Sequence, residues 1–297
     1  MNSSFIKTET LNNALITKFV GKNLRQDNIY PANNLVPFSE ISTLNSRKGY
    51  EMAVVVDGTV VNVVSDSYGH LPNEVLFGEV ERLLNEANIQ YVKRTINREN
   101  RSFAVDYIFN DDKYIIKVKN GIDQILPMLR FTNSYDSSNT TRGSFGVYRQ
   151  VCTNGLFAFK GDVGFKQKHS GKIESIILPK IANLTTHFTS NEYYTLSRKF
   201  EVLAERAITD LEGFVKLTAE KMGLFKYEMS EKNPMPSLNS RMVLDIIKKE
   251  SELFGTTPTL WNGYNAFNEV LHTKLKKNFD KQIDLDEKLF NTVLEMA

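Results

Sequence analysis

Apolar and polar positions follow two different periods along the chain, and the period changes near residue 180. Before that point, short apolar runs rich in β-branched residues are separated by turn-forming residues, which is typical of β-strands. After it, apolar residues recur every three or four positions, which is typical of amphipathic helices. The pattern therefore predicts an α+β fold, with a strand-rich N-terminal half and a helical C-terminal part.

The strand-rich half begins with a predicted β-hairpin. β-Branched residues lie on both sides of Asp57-Gly58, a dipeptide that suits a type I′ turn. A short amphipathic helix is predicted directly after Asn73, because apolar residues recur there at helical spacing. Further antiparallel strands are predicted at Tyr91–Ile96, Phe103–Phe109 and Tyr114–Val118.

The helical part begins with a predicted capping box of Thr189 and Glu192. The apolar pattern that follows predicts one long helix from about Asn191 to Met222, ended by Gly223. Three more helices are predicted downstream: one capped by Ser237 and running to about Phe254, one over Leu260–Phe279, and one behind a capping box of Asp284 and Glu287.

These elements suggest a division of the chain into an N-terminal arm over residues 1–35, a strand-rich α+β domain over 36–180, and a helical region over 181–297. The helical region is compatible with packing as one domain with the part before it. The Asn-Pro-Met-Pro stretch at 233–236 is interpreted as a linker or as a tight turn between two helices.

Composition narrows the class of protein. The chain has 297 residues, of which 41% are hydrophobic and 24% charged, so it can bury a real core. Its start lacks the apolar region of a secretion signal, and no apolar run is long enough to span a membrane, so a cytoplasmic location without a membrane partner is expected. The single cysteine, Cys152, excludes an internal disulfide framework and is interpreted as a buried apolar residue.

Positive charge is concentrated in one segment. Residues 142–172 hold six Lys or Arg and one Asp, an excess of five positive charges, whereas the whole chain carries +2. Aromatic residues are interleaved with these cations, a combination that binds single-stranded nucleic acid because cations attract phosphates and aromatic rings stack on bases. The predicted nucleic-acid-binding residues are Arg142, Tyr148, Arg149, Lys160, Lys166, Lys168, His169 and Lys172.

The alternative for this segment is structural: a strand pair with buried aromatic side chains and an ordinary solvated lysine face. Arg149 in particular suits either a phosphate or a buried carboxylate. A second cationic cluster, formed by Lys93, Arg94, Arg98 and Arg101, lies near a predicted hairpin turn and is interpreted as a solvated turn.

Three segments resemble a family of phage and plasmid-like proteins known as domain of unknown function 932. They are NSYDSS at Asn133–Ser138, GVYRQVCTNGL at Gly146–Leu156 and KHSG at Lys168–Gly171. A weaker likeness lies in TLWNGYNAFNEVLH at Thr259–His272, so the resemblance covers about residues 50–275. The sequence departs from the family pattern at Tyr135, where the family has His, and at Ser137, where it has Gly.

The resemblance implies no settled biochemical activity. The family's setting in phages and mobile plasmids, near replication and recombination genes, implies nucleic-acid metabolism in the cytoplasm of an infected or plasmid-bearing bacterial host. The predicted order of hairpin, helix and hairpin is also similar to that of phage strand-annealing proteins of the Red-beta type.

Enzymatic sites are weakly supported by the sequence. The four histidines are dispersed, no HExxH or Walker-type motif occurs, and no metal or cofactor is therefore expected. Four aspartates are interpreted as turn formers rather than as the metal ligands of a nuclease, namely Asp106, Asp111, Asp112 and Asp136. An acid–base pair of Asp136 and His169 stays open as an alternative. Trp261 is interpreted as a core residue.

The favoured function is a nucleic-acid-binding accessory protein of phage or plasmid DNA metabolism, with single-strand DNA binding or annealing as its specific form. A host-takeover or anti-defence protein that binds a host protein is the main alternative, and an enzyme is the third. Homo-oligomerisation is expected for the annealing form, because the long helix predicted at Asn191–Met222 offers an apolar stripe.

Overall fold

The computed structural model describes residues 24–45, 47–118, 123–149, 155–156, 164–189, 192–275 and 277–297. Strands dominate before residue 168 and helices after residue 172, which confirms the predicted α+β class. The strands are β1 Asn33–Pro37, β2 Met52–Val56, β3 Thr59–Val64, β4 Tyr91–Arg98, β5 Ser102–Phe109, β6 Ile116–Val118, β7 Asp123–Ser134, β8 Thr141–Arg149, β9 Gly155–Leu156, β10 Phe165–Gln167, β11 Glu228–Ser230 and β12 Asn233–Pro236. The helices are α1 Phe38–Ile41, α2 Asn73–Glu86, α3 Ile173–Thr189, α4 Glu192–Glu205, α5 Leu211–Met222, α6 Leu238–Phe254, α7 Leu260–Lys274 and α8 Phe279–Leu294.

The strands form a small sheet in the order β1-β2-β3, a larger sheet in the order β10-β8-β7-β5-β4, and a β11-β12 hairpin. In the larger sheet β6 also pairs with β7, and β9 with β8. The described residues group into two compact units: unit 1 within Met1–Tyr114, Met128–Phe145 and Gly161–Ser190, and unit 2 within Ile115–Pro127, Gly146–Lys160 and Asn191–Ala297. Both units are discontinuous along the chain, unlike the contiguous division suggested by the sequence.

The hairpin predicted around Asp57-Gly58 is present as β2 and β3. Both turn residues have positive φ angles, +46° at Asp57 and +75° at Gly58, as a type I′ turn requires. β1 pairs with β2 in antiparallel register, from Asn33 opposite Val56 to Pro37 opposite Met52. Part of the predicted N-terminal arm is therefore a sheet strand, while residues 1–23 lie outside the described residues.

In unit 1, α2 and α3 pack against each other, and aromatic side chains of the larger sheet face them. The Tyr107 hydroxyl donates to the Phe77 carbonyl of α2, and the Tyr107 ring lies 6.0 Å from that of Phe131. Gly143 is needed on this face, because a Cβ there would lie 2.8 Å from Leu184 of α3 and 2.9 Å from the Phe131 ring. This packing fixes which strand residues face the helices and which face away.

The single helix predicted over Asn191–Met222 is wrong, because the structure has two helices, α4 and α5, separated by residues 206–210. The backbone of residues 206–210 forms hydrogen bonds with a distant segment of the chain. Leu260 N–H donates to the Arg206 carbonyl, and Ile208 N–H donates to the Pro258 carbonyl. Asp210 then caps α5 by accepting from Gly213 N–H at 2.9 Å. Thr189 was predicted to be the N-cap of the long helix. It is instead the last residue of α3, a helix that begins at Ile173.

The later helices follow local signals with two exceptions. Ser237 caps α6 as predicted, and its Oγ accepts from Ser240 N–H. α7 starts at Leu260 as predicted but ends at Lys274. The predicted capping box of Asp284 and Glu287 is wrong, because α8 begins at Phe279 behind Asn278. Residues 233–236 are strand β12 rather than a linker.

No helix within the described part of the chain is long and apolar enough to cross a membrane.

Candidate nucleic-acid interface

One face of the larger sheet in unit 1 carries cations on four strands. The rings of Tyr107, Phe131 and Phe165 lie on the face that packs against the helices. Because successive strand residues point to opposite faces, their neighbours Asp106, Arg130 and Lys166 point the other way. The register places Arg94 and Arg130 opposite Asp106 and places Arg142 opposite Lys166, and strand alternation puts Arg98 on the same face as Arg94. This set, here called the cationic face, is Arg94, Arg98, Arg130, Arg142 and Lys166 together with Asp106.

Asp106 is fully buried and ties two of these arginines together. Its Oδ2 accepts from Arg94 Nε at 2.7 Å and from Arg130 NH2 at 2.8 Å, and its Oδ1 lies 2.5 Å from Arg130 Nε. Burial alone would raise the pKa of Asp106, but the charges and hydrogen bonds of Arg130 and Arg94 outweigh it and hold the pKa at about 2. The carboxylate therefore stays ionised throughout the physiological pH range.

Cations outnumber carboxylates among the described residues of this face. These strands place five cations and one carboxylate on it. Burial and the positive charges of Arg130 and Arg25 lower the pKa of Arg98, a sign that guanidinium groups are crowded there. Arg142 lies directly opposite Lys166 in the register of β8 and β10.

The cations differ in exposure. Lys166 is exposed and Arg98 half-buried, whereas Arg94, Arg130 and Arg142 are 8%, 3% and 7% exposed. Arg142 Nε also donates to Ser144 Oγ at 3.0 Å. A ligand phosphate can therefore contact Lys166 and Arg98 directly, while the buried arginines contribute through their field.

Three loops of unit 1 meet beside β8 and β10, and His169 lies where they meet. Its Nδ1 is 3.2 Å from the Gly69 carbonyl, and its Nε2 is 3.4 Å from Thr141 Oγ1. Its ring stacks on Tyr68 at 5.3 Å between centroids and 11° between planes. Gly171 N–H donates to the Ser67 carbonyl and closes the contact between two of the loops. The neighbouring Lys168 and Lys172 are exposed.

The third loop contains Tyr135 and Ser137. Tyr135 is buried, and its hydroxyl accepts from Asn73 N–H at the start of α2. Ser137 has φ +61°, a conformation that glycine adopts with the least strain. Asp136 accepts from Ser138 N–H at 2.9 Å, the geometry of an Asx turn.

Arg149 and Tyr148, both predicted to contact nucleic acid, lie in the interior of unit 2 and are 1% and 4% exposed. This placement corrects the expected ligand role of Arg149. Its Nε donates to Asp123 Oδ2 at 2.6 Å, its NH2 pairs with Glu250, and its guanidinium lies 5.7 Å from the Trp261 ring centroid. A guanidinium in low dielectric needs such carboxylate partners, so the buried-carboxylate alternative describes the structure.

The same network explains Trp261. It is fully buried, as expected for a core residue, and its Nε1 donates to Asp123 Oδ2 at 2.8 Å. Glu250 Oε2 accepts from Asn262 Nδ2 at 2.7 Å, which links α6 to α7. Two segments that resemble the family, around residues 149 and 261, therefore meet in a structural network inside unit 2.

The eight predicted binding residues thus divide into four groups. Lys166, Lys168 and Lys172 are exposed in unit 1, and His169 is half-buried beside them. Arg142 is a buried part of the cationic face. Arg149 and Tyr148 belong to unit 2, and Lys160 lies outside the described residues.

Sequence reasoning missed the role of Asp106 and Arg130. Asp106 was interpreted as a turn former, but it lies in the middle of β5, whose residues are all buried. A charged residue inside a continuous apolar strand run is itself a signal, because a buried charge needs a partner. Arg94 and Arg98, interpreted as part of a solvated turn, lie on β4.

No group of three or more potential metal ligands occurs among the residues that the structure describes. His272 and Asp286 form a buried pair in unit 2, with 2.7 Å between Nε2 and Oδ2, and Asn268 occupies the other carboxylate oxygen at 2.9 Å. Asp136 accepts from Ser138 N–H, and His169 faces the Gly69 carbonyl and the Thr141 hydroxyl.

Comparison with known proteins identifies one family. Neither the curated proteins nor the solved structures include a match to this chain. The profile of a family described as "Domain of unknown function (DUF932)" matches residues 60–290. The match spans most of the chain and includes β4, β5, β7, β8 and β10, which carry the cationic face. The chain therefore belongs to the DUF932 family.

Proposed function

We propose that this protein is a nucleic-acid-binding accessory factor of phage or plasmid DNA metabolism, and that it binds single-stranded DNA at the exposed lysines of unit 1 at and beside the cationic face, Lys166, Lys168 and Lys172. The observation that carries the proposal is the exposed run of Lys166, Lys168 and Lys172 beside the cationic face. A polyanion is the ligand that such a run of cations attracts most strongly.

The surroundings of the face support a single-stranded ligand. Lys168 and Lys172 extend the exposed positive charge from Lys166 along the next segment. The stacked pair of Tyr68 and His169 supplies aromatic surface beside these lysines, and stacking on bases requires bases that are not already paired. Recombination or replication, with strand annealing as its specific form, is the process in which such a ligand arises.

The test replaces two exposed lysines of the interface with acids. We expect Lys166→Glu with Lys168→Glu to weaken binding to labelled oligo(dT) at low salt, because each lost cation removes a phosphate contact. The slope of log affinity against log salt should also flatten by about 1.4, since each of the two lost single-strand contacts contributes roughly 0.7. Fluorescence anisotropy over a salt series measures both quantities.

The matched control is Lys248→Glu with Lys249→Glu, which makes the same change in net charge on exposed positions of α6 in unit 2. This variant should bind with nearly wild-type affinity. Equal losses in the two variants would show that only the total charge matters and would contradict a site on the sheet. Wild-type protein that is folded and does not bind at low salt would rule out nucleic acid as the ligand.

A protein partner is the second candidate function, and one observation favours it. Unit 2 exposes large apolar side chains on α5, on the β11-β12 hairpin and at the start of α6, namely Leu217, Met229, Met235 and Leu238. Exposed methionines suit adaptable protein contacts. A host-takeover or anti-defence role through a host protein would use such a surface.

Self-association stays a prediction. The continuous apolar stripe once expected over Asn191–Met222 no longer supports it, because α4 and α5 are separate helices.

A further inference from the structure

Backbone carbonyl groups determine which side-chain atoms donate and which accept in the hydrogen bonds around His169. Asn73 Nδ2 donates to the Ile29 carbonyl at 2.7 Å, so Asn73 Oδ1 is free to act only as an acceptor. Asn133 Nδ2 donates to that oxygen at 2.9 Å and to the Leu71 carbonyl at 2.8 Å. Because carbonyl oxygens only accept, neither amide can be reversed. Asn133 Oδ1 therefore points towards Thr141 as an acceptor.

The hydroxyl of Thr141 has one hydrogen to donate. It lies 3.1 Å from Asn133 Oδ1 and donates to it, which leaves Thr141 Oγ1 as an acceptor towards His169 Nε2. On the other side of the ring, Nδ1 faces the Gly69 carbonyl, which also only accepts. Both ring nitrogens of His169 therefore face acceptors. A neutral imidazole has one N–H and would leave two lone pairs in contact.

We propose that His169 is an imidazolium at neutral pH and acts as a positioning residue, whose two N–H groups hold the loops around Gly69 and Thr141 together. The proposal does not depend on nucleic-acid binding. It gives His169 a fixed charge beside Lys168 and Lys172 and excludes it as a general base, the alternative that the sequence left open.

The groups around the ring suit a cation. The face of Tyr68 stacks on the ring, and an aromatic face attracts positive charge. Burial is the main cause that raises the pKa of Tyr68, and the charge of Asp136 raises it further, so Tyr68 stays neutral and Asp136 lies near the stack. The titratable groups of the neighbouring segments are thus Asp66, Tyr68, His70, Asp136, Lys168 and Lys172, so that two carboxylates accompany the two lysines.

Nitrogen-15 NMR of the histidine side chains tests the protonation state in the intact protein. The chain has four histidines, and the spectrum of a His169→Gln variant assigns the signal of His169. We expect both ring nitrogens to show imidazolium shifts at pH 7, while a Thr141→Val variant, which lacks the hydroxyl, should show one protonated and one unprotonated nitrogen at that pH.

Two results would overturn the proposal. One is a neutral His169 in the wild-type protein at pH 7, with a single N–H. The other is an imidazolium that persists in Thr141→Val to the same upper pH as in the wild type, because the hydroxyl would then have no part in it. A merely structural role of the ring predicts no difference between these two spectra.

Discussion

Arg149→Ala should destabilise the protein by about 3–5 kcal/mol, because it leaves the buried carboxylates of Asp123 and Glu250 without their cation. Trp261 would keep its hydrogen bond to Asp123, but one indole N–H does not neutralise a carboxylate. The midpoint of urea denaturation, followed by Trp261 fluorescence, measures the loss. This is the largest stability effect that we expect from a single substitution in unit 2.

Arg241→Ala is the matched control, since Arg241 is exposed on α6 and its loss should change the midpoint little. Neutralising the carboxylates should restore part of the loss, so Arg149→Met with Asp123→Asn and Glu250→Gln should be more stable than Arg149→Met alone. An Arg149→Ala protein as stable as the wild type would contradict the buried network.

In unit 1, Asp106→Asn should lower the free energy of unfolding by a similar amount, about 3–5 kcal/mol. The guanidinium groups of Arg94 and Arg130 would lose the charge that holds them together. The pH dependence has a definite sign. Since the folded pKa of Asp106 is held at about 2, its contribution is complete above about pH 4 and is lost as the pH falls towards 2. The contribution of the ionised Asp106 carboxylate to the free energy of unfolding amounts to about 2 kcal/mol.

Denaturation midpoints at pH 7 and at pH 3 measure both effects. The wild type should lose more stability between these two values than Asp106→Asn does, because the variant lacks the titrating group. Asp112→Asn, which changes an exposed carboxylate of the same unit, should behave as the wild type at both pH values. If Asp106→Asn and wild type lost equal stability on acidification, the carboxylate would not be the group responsible.

Local signals in the sequence were enough to predict elements whose ends are set by neighbouring residues. The Asp57-Gly58 turn and the Ser237 cap act within a few positions of the chain, and both are present as predicted. The break between α4 and α5 is different. It depends on backbone pairing of Arg206 and Ile208 with residues about fifty positions away, and an apolar pattern does not reveal such a partner.

The candidate site shows the same limit. In the sequence, residues 142–172 form one basic segment. In the structure, successive residues of its strands point to opposite faces of the sheet. Lys166 points to the cationic face, and Phe165 packs against Phe131 on the helical face. Arg94, Arg130 and Asp106 come together only through the register of β4, β5 and β7, so their cluster requires the sheet to be known.

Photocrosslinking tests the central claim, single-stranded DNA binding at the exposed lysines at and beside the cationic face, most directly. Oligo(dT) carrying 4-thiothymidine would be bound at low salt and irradiated, and the attached peptides would be mapped by mass spectrometry. We expect crosslinks within residues 164–172 and near Arg98 of unit 1, and we expect added salt to suppress them. Crosslinks confined to unit 2, or none from folded protein at low salt, would contradict the account.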